Sequence, residues 1–409
     1  MKADVSTDMR ADLRAGPLRI ALLTHSTNPR GGVVHCLELA DALCAQGHAV
    51  TVHAPGVPGQ PLFRSSRAAV RILPVPASGP RLREVVQARI HSFVQGLSKL
   101  GQAGFDVFHA HDGIGANALL MLRRQGLVGA YVRTVHHVDA SFGDPVVDAW
   151  EAQSIRQADR LICVSESWVP KLRERFQREA QVIHNGVDVY RFSPVPQATD
   201  ADLARRLGLG TGPVYLMVGG IEARKNTVGA LQAFVQLRAR VPQAQLLIAG
   251  GASLLDHGPY RQRFEQVLAQ AGLQAGPGQP VVLSGVLADA DMPALYRLAT
   301  ALLFPSLLEG FGLAVVEAMA SGVPVIVSRQ EPFTDFLGPD DALWVDPHSV
   351  SSMTEALLQV LFPGTAQAMR ERGLPLARRF DWAAAARAHF ALYWALPQTG
   401  RALDQPSFC

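Results

Sequence analysis

From residue 18 onward, short apolar runs alternate with longer stretches of helical period. Residues 19–23 (RIALL) and 49–53 (AVTVH) read as buried strands. Between them, Val33, Leu37, Ala40 and Cys44 recur at helical spacing over 32–46, and Gly47 supplies the stop. The same reasoning predicts strands at 69–73, 107–109, 130–135, 160–164 and 181–184, with helices between most of them. A second series opens after the polar, proline-containing segment 193–200, with a strand at 213–218, a helix at 226–239 and a strand at 244–249. Residues 301–304 (ALLF) predict another buried strand, 313–320 a helix stopped by Ser321-Gly322, and 324–327 the strand after it. A strand at 342–345 is followed by helices over 349–362, 366–379 and 381–396. The last of these (DWAAAARAHFALYWAL) is apolar over much of its surface, so it needs a partner, and a crossing back to the first half would supply one.

Strand and helix in alternation predict a parallel sheet covered on both faces by helices. Two such series make the expected fold class α/β, with two facing Rossmann-like doubly wound domains. The expected division is a loose tail at 1–17, a first domain over 18–192 joined by about 382–409, and a second over 200–381. Hinges are expected near 192–199 and 379–381.

Composition narrows the class. A chain of 409 residues, 48% apolar and 18% charged, suits a well-packed soluble protein. Residues 1–16 mix charges with small residues and lack the apolar core of a signal peptide. No run approaches the roughly 18 apolar residues that a membrane span needs. Cys36, Cys44, Cys163 and Cys409 follow neither metal-ligand nor disulfide spacing, which fits a reducing interior and a cytoplasmic location. A net charge of +3, without a basic stripe, argues against nucleic acid as a partner. Residues 81–99 form an amphipathic basic helix with two readings: packing on a sheet, or peripheral contact with an anionic membrane face. Oligomeric state is not readable.

The stretch Glu309-Gly310-Phe311-Gly312-Leu313-Ala314-Val315-Val316-Glu317 places two carboxylates around a glycine turn that opens a helix. In a strand–turn–helix unit that turn lies at the carboxyl end of the sheet, where open α/β folds bind ligands and helix N-termini take anions. The first half offers Asn28-Pro29-Arg30-Gly31-Gly32 at the matching place, read equally well as an anion-approach loop or a plain turn. The second half opens with Gly219-Gly220-Ile221-Glu222-Ala223-Arg224-Lys225-Asn226. Neither turn carries the Gly-x-Gly-x-x-Gly dinucleotide fingerprint. Two cations at a helix head oppose its dipole, so Arg224-Lys225 suggests either a ligand anion that offsets the cost or a solvated loop pair.

From Ser284-Gly285, through Leu303-Phe304-Pro305-Ser306 and the Glu309–Glu317 stretch, to Val323-Pro324-Val325, the chain resembles the retaining glycosyltransferases of family 4, which have the GT-B fold. The Gly31-Gly32 loop, Asn185-Gly186-Val187-Asp188 and Lys225-Asn226 agree, and the resemblance covers roughly 18–395. It implies a nucleotide-sugar donor held mainly by the second domain and an acceptor, whether saccharide, lipid-linked or small-molecule, held mainly by the first. By the same resemblance Glu309 contacts hydroxyls of the transferred sugar and Glu317 the ribose. The backbone of Gly310, Phe311, Gly312 and Leu313 would meet sugar or diphosphate oxygens, and Lys225 the leaving diphosphate. Where the family commonly has arginine this chain has Gly220, and Arg224 is the substitute within reach. His184 replaces the family's usual proline, with only a local effect expected. Thr134-Val135-His136-His137 resembles the family's strand-end histidine that contacts the sugar; His136 is the choice and His137 the register alternative. His111 and Asp112, next to His109 at another strand end, are acceptor-side candidates.

Asp289-Ala290-Asp291 resembles a metal-binding DxD pair of another glycosyltransferase fold, but it precedes a helix pattern over 292–298, so capping explains it better. No metal and no cofactor are therefore expected. The implied chemistry is metal-independent front-face transfer of a hexose from a nucleoside-diphosphate sugar to an acceptor hydroxyl. A nucleotide-sugar isomerase or phosphorylase on the same fold, and a catalytically silent sugar-nucleotide-binding protein, are the alternatives.

Overall fold

The computed structural model describes residues 16–99, 104–251 and 258–396. The expected tail lies outside these except for Gly16 and Pro17, as do 397–409 of the expected C-terminal return.

The first half forms one parallel sheet from β1 (Arg19–Leu23), β2 (Ala49–Gly56), β3 (Ala69–Pro74), β4 (Val107–Ala110), β5 (Tyr131–Val135), β6 (Arg160–Cys163) and β7 (Gln181–Val182). Its spatial order is β3-β2-β1-β4-β5-β6-β7. The second half forms another parallel sheet from β8 (Val214–Val218), β9 (Gln245–Ala249), β10 (Val281–Gly285), β11 (Ala301–Phe304), β12 (Val325–Ser328) and β13 (Leu343–Val345), in the order β10-β9-β8-β11-β12-β13. The sequence reading leaves out β10, whose strand VVLSG is short and follows a glycine- and proline-rich turn.

Both central strands bury alternate residues on opposite faces. Ile20 and Leu22 of β1 join one core cluster and Ala21 and Leu23 the other. Val214 and Leu216 of β8 are likewise separated from Tyr215 and Met217. Sheets covered on both faces need such continuous apolar runs, and these runs carried the strand expectations. In each sheet the strand order reverses once, between β1 and β4 and between β8 and β11. Loops leaving the carboxyl ends of these strand pairs diverge and open a crevice, so each sheet offers one ligand-binding edge.

The terminal helix Trp382–Trp394 crosses back to the first half. Trp382, Ala385, Ala386, Leu392 and Tyr393 share a core with Leu37, Leu43 and Val50, and the Tyr393 hydroxyl lies 2.6 Å from His109 Nδ1. The helix Leu82–Ser98 buries Val86, Ile90, Phe93 and Leu97 in the first-half core, so its apolar face is covered by protein. No helix among the described residues is long and apolar enough to cross a membrane.

Asp289 and Asp291 do not act as the expected helix caps. Neither makes a side-chain capping bond; Asp289 pairs with Arg191 at 2.8 Å and Asp291 with Arg206 at 2.7 Å. Nearby guanidinium groups are stronger partners for these carboxylates than backbone N–H groups.

Candidate active site

The loop after β8 is shaped by glycine. Gly219 and Gly220 have φ of 127° and 77°. A Cβ on Gly220 would lie 3.0 Å from the Gly251 carbonyl oxygen, so both backbone conformation and space disfavour a side chain there. The glycine that departs from the resemblance is thus built into the turn.

Arg224 and Lys225 are not at the head of a helix. They occupy a single 3-10 turn, Ala223–Lys225, and the helix Thr227–Arg238 begins only after Asn226, which has φ 55°. Their charge is offset inside the protein. Lys225 Nζ donates to Glu309 Oε1 at 2.5 Å and Arg224 Nη1 to the same oxygen at 3.3 Å. Lys225 also lies 4.1 Å from the centroid of the Phe304 ring, the last residue of β11. Its side chain and that of Glu309 are 10% and 9% exposed. Burial by itself would raise the Glu309 pKa; Lys225 and Arg224 outweigh it and hold the carboxyl below its ordinary range. Burial lowers the Lys225 pKa, with Glu309 opposing. Glu222, itself buried, lies 3.1 Å from Arg224 and 3.8 Å from Arg30 of the first half, whose Nη1 reaches 3.4 Å from the Gly251 carbonyl oxygen.

Across the cleft, the loop after β11 touches the first half. A Cβ on Gly310 would lie 2.0 Å from the His136 carbonyl oxygen, and Ser165 Oγ donates to the Gly310 carbonyl at 2.9 Å. Only glycine permits that approach. The Phe311 side chain points away, 2% exposed and packed with Phe336 and Phe380, so of the expected donor contacts its backbone alone is free to serve. Gly312, with φ 98°, is the N-cap of the helix Leu313–Ala320 and gives it no side-chain cap. Leu313 is half-buried between the cores of both halves. One helical turn further, Glu317 accepts a 2.6 Å bond from the Tyr296 hydroxyl. Burial raises its pKa to about 7, against the opposing effects of Tyr296 and Arg191 and helped by Glu38 and Asp289. The two glutamates therefore differ: Glu309 is held ionised by cations, whereas Glu317 titrates near neutrality.

On the first-half side, Gly31 and Gly32 start the helix Gly31–Ala45, and Gly32 packs against His136, whose Cδ2 would lie 3.1 Å from an added Cβ. His136 follows β5 and His111 follows β4, with their rings 5.9 Å apart and stacked. Asp112 is already engaged: it caps the helix Gly113–Arg124 by accepting from Gly115 N at 2.7 Å, and it pairs with His25 at 3.5 Å. Its expected acceptor-side role must share the carboxylate with those partners. His137 turns to Asp139 at 3.5 Å, and His184 to Glu166 at 2.9 Å.

Four participants lack any role in the sequence reading. Arg30 and Glu222 stood inside quoted turns, where a charge partner across the cleft leaves no local mark. His35 lies on the buried face of the first helix, and Tyr296 is far in sequence from Glu317, so only the fold brings them to the site.

Residues 29–191 match the family model described as Glycosyltransferase Family 4, and residues 201–373 the model described as Glycosyl transferases group 1. The chain is 29% identical to a phosphatidyl-myo-inositol mannosyltransferase of Mycobacterium leprae over 397 residues, covering 94% of this chain and 98% of that protein. It is also 29% identical to a D-inositol 3-phosphate glycosyltransferase of Corynebacterium jeikeium, covering 74% and 75%. Among solved structures, sucrose-phosphate synthase from Thermosynechococcus elongatus superposes with a TM-score of 0.75 at 24% identity, covering 92% of this chain and 98% of that one. HepE of Anabaena in complex with UDP-glucose superposes with a TM-score of 0.72 at 17% identity, covering 93% and 100%.

Proposed function

Because this chain belongs to the family-4 type glycosyltransferases, enzymes that transfer a sugar from a nucleotide sugar, we propose that it is a retaining, metal-independent hexosyltransferase. Its donor is a nucleoside-diphosphate hexose bound mainly by the second half, and its acceptor hydroxyl, on a saccharide, a lipid-linked sugar or a small molecule, is presented by the first. The observation that carries this reading is the buried Lys225–Glu309 pair at the β8/β11 switch point, directly beside the contact between Gly310 and His136. A buried ammonium is placed to meet a leaving diphosphate, and an ionised carboxylate accepts sugar hydroxyls by charge-assisted bonds of about 1.5–3 kcal/mol each. No second carboxylate stands as a nucleophile in this reading. The leaving diphosphate, steadied by Lys225, Arg224 and the Gly312 helix start, takes the acceptor proton as the new bond forms on the same face. His136 orients the transferred sugar from the first half. Contacts from Arg30 to Gly251 and from Ser165 to Gly310 favour a closed cleft that keeps water from the donor. The protein acts in the cytoplasm in this reading.

Thermal shift across uridine, guanosine and adenosine diphosphates and their hexoses should single out one base, since binding to the native state raises the melting temperature. Product made from that donor should keep the anomeric configuration by NMR. An inverted product overturns the retaining assignment; no shift and no turnover with any nucleotide sugar overturns the donor assignment.

Glu317 gives the donor affinity a pH dependence. An ionised carboxylate accepts two ribose hydroxyl bonds and a protonated one is a poorer acceptor, while the phosphates of a nucleotide sugar do not titrate near neutrality. With the carboxyl near 7, the bound form needs the ionised state, so donor affinity should rise roughly tenfold from pH 6 to pH 8. In the free protein the sign is opposite: the raised pKa means that stability falls as pH climbs from the unfolded value through 7. Glu317→Gln should flatten both dependences. Calorimetric titration of the donor at pH 6, 7 and 8 checks this, and an unchanged slope in the variant removes Glu317 from the ribose.

A further inference from the structure

Four buried histidines, His35, His109, His111 and His389, and the half-buried His136 meet where the first sheet, its first helix and the terminal helix converge. Their hydrogen bonds divide them. His109 is fully engaged, with Nδ1 at the Tyr393 hydroxyl and Nε2 at Thr134 Oγ1, 2.8 Å away. His389 bonds through Nδ1 to the Ala385 carbonyl at 2.8 Å; its Nε2 is also unpartnered, but His389 is not one of the three residues whose ligand atoms cluster. The other three each carry an unpartnered nitrogen. Nε2 of His35, both ring nitrogens of His111 and Nε2 of His136 are buried without a hydrogen-bond partner. One nitrogen from each ring lies within 4.8 Å of the others.

Buried polar atoms are almost always paired, so several orphans converging on one point call for an occupant. A water could bond two of these rings, but the set has a further mark of a cation site. His35 Nδ1 lies 2.7 Å from Asn185 Oδ1. An amide oxygen only accepts, so the proton sits on Nδ1 and Nε2, buried and unpartnered, keeps its lone pair. A hydrogen bond that fixes the tautomer of a ligating histidine is a common outer shell of imidazole metal sites.

We propose that His35, His111 and His136 form a binding site for a divalent cation of the zinc, cobalt and nickel class, with a fourth position open to the cleft. Three imidazoles and no carboxylate favour these ions over magnesium or calcium. In a tetrahedron with bonds of about 2.0–2.1 Å the nitrogens stand roughly 3.3 Å apart, which ring rotation must close from the present spread. The open position follows from His136, which lies between Gly32 and Gly310 at the meeting of the two halves. A cation there draws away the histidine that the proposed transfer assigns to the sugar, so occupancy inhibits that reaction. Binding itself does not depend on the transfer proposal.

The test uses the full chain, free of any affinity tag and stripped of metal by a chelator. Cobalt titration should give one equivalent per chain, with the visible absorption of a four-coordinate nitrogen site, and zinc should bleach it. Asn185→Ala should weaken cobalt binding about 10- to 100-fold through loss of the tautomer lock. His35→Gln should weaken it further, each variant first being shown to melt cooperatively. His137→Ala, which removes only the neighbouring pair with Asp139, should leave cobalt binding intact. The site is overturned by an absence of stoichiometric cobalt binding, by binding undiminished in both His35→Gln and Asn185→Ala, or by binding lost in His137→Ala alone. In the transfer assay zinc should inhibit reversibly and a chelator alone should not slow turnover. Turnover lost on chelation and restored by a divalent ion would contradict both the inhibitory role and metal independence.

Discussion

Lys225→Ala is expected to lower kcat about 10²- to 10³-fold, the loss of roughly 2.7–4 kcal/mol that removing one preorganised charge partner from a developing anion typically brings. The donor diphosphate already carries charge when it binds, but it gains more as its bond to the sugar breaks. An ammonium that is 10% exposed acts on that increment without the screening that weakens surface pairs. The donor KM should therefore change less than kcat. Lys225→Arg should not restore activity, because the side chain runs past Gly219, where even an added Cβ would come within 2.6 Å of Lys225 Cε, and under the Phe304 ring. Arg30→Ala in the same assay should cost about tenfold: its guanidinium reaches from the first half to Glu222 and Gly251 and, at 25% exposure, acts with partial screening. Steady-state kinetics with the matched donor decides the matter. A Lys225→Ala enzyme with near-normal kcat takes the lysine out of the leaving-group role, and a normal Arg30→Ala leaves Arg224 as the only substitute for the cation that Gly220 omits.

How much of this was legible in the chain depended on the range of the interaction. Continuous apolar runs such as ALLF at β11 and YLMV within β8 located the central strands, because a strand buried on both faces leaves no freedom for polar positions. The helix Leu313–Ala320 and the return of the terminal helix followed from local pattern and from an apolar surface that needed cover. β10 escaped because five residues ending in Ser284-Gly285 carry too little pattern, and its pairing with β9 is what defines it. At the site, the sequence grouped Glu309, Glu317 and Lys225 as ligand contacts and left their mutual arrangement open. It did not show that Lys225 and Arg224 are neutralised by Glu309, since those residues are separated by more than eighty positions. The reading of Arg224-Lys225 as a helix head also missed the left-handed Asn226, which places both cations one turn ahead of the helix. The two Asp residues at 289 and 291 fell to capping for the same reason: their arginine partners lie far away in sequence.

Glu309→Gln should abolish most donor turnover, by about 10²-fold or more, while the protein remains folded. One carboxylate oxygen, Oε1, accepts from both Lys225 and Arg224. With a donor present the carboxylate must serve those cations and the sugar hydroxyls together, and four acceptor sites allow it. Glutamine keeps the shape but offers a single oxygen and adds two donors, so it can hold Lys225 or a hydroxyl and not both. Stability shows how the charge is used. The Glu309 pKa is lowered in the native state, so its ionisation stabilises the fold above the ordinary carboxylate value, and this stabilisation is lost as pH falls through the lowered one. The melting-temperature gap between wild type and Glu309→Gln should therefore be widest at neutral pH and close under acid. It should also stay within several degrees, because the amide oxygen still receives Lys225 and spares the variant the roughly 3–5 kcal/mol cost of a stranded buried charge. In the double variant Lys225→Ala, Glu309→Gln, the stability loss should be less than the sum of the two single losses, since Lys225→Ala strands the Glu309 carboxylate only where that carboxylate is present. Full activity with an unchanged melting temperature in Glu309→Gln would leave the carboxylate without a role in the sugar site, and a collapse of both would show that it is needed only to hold Lys225.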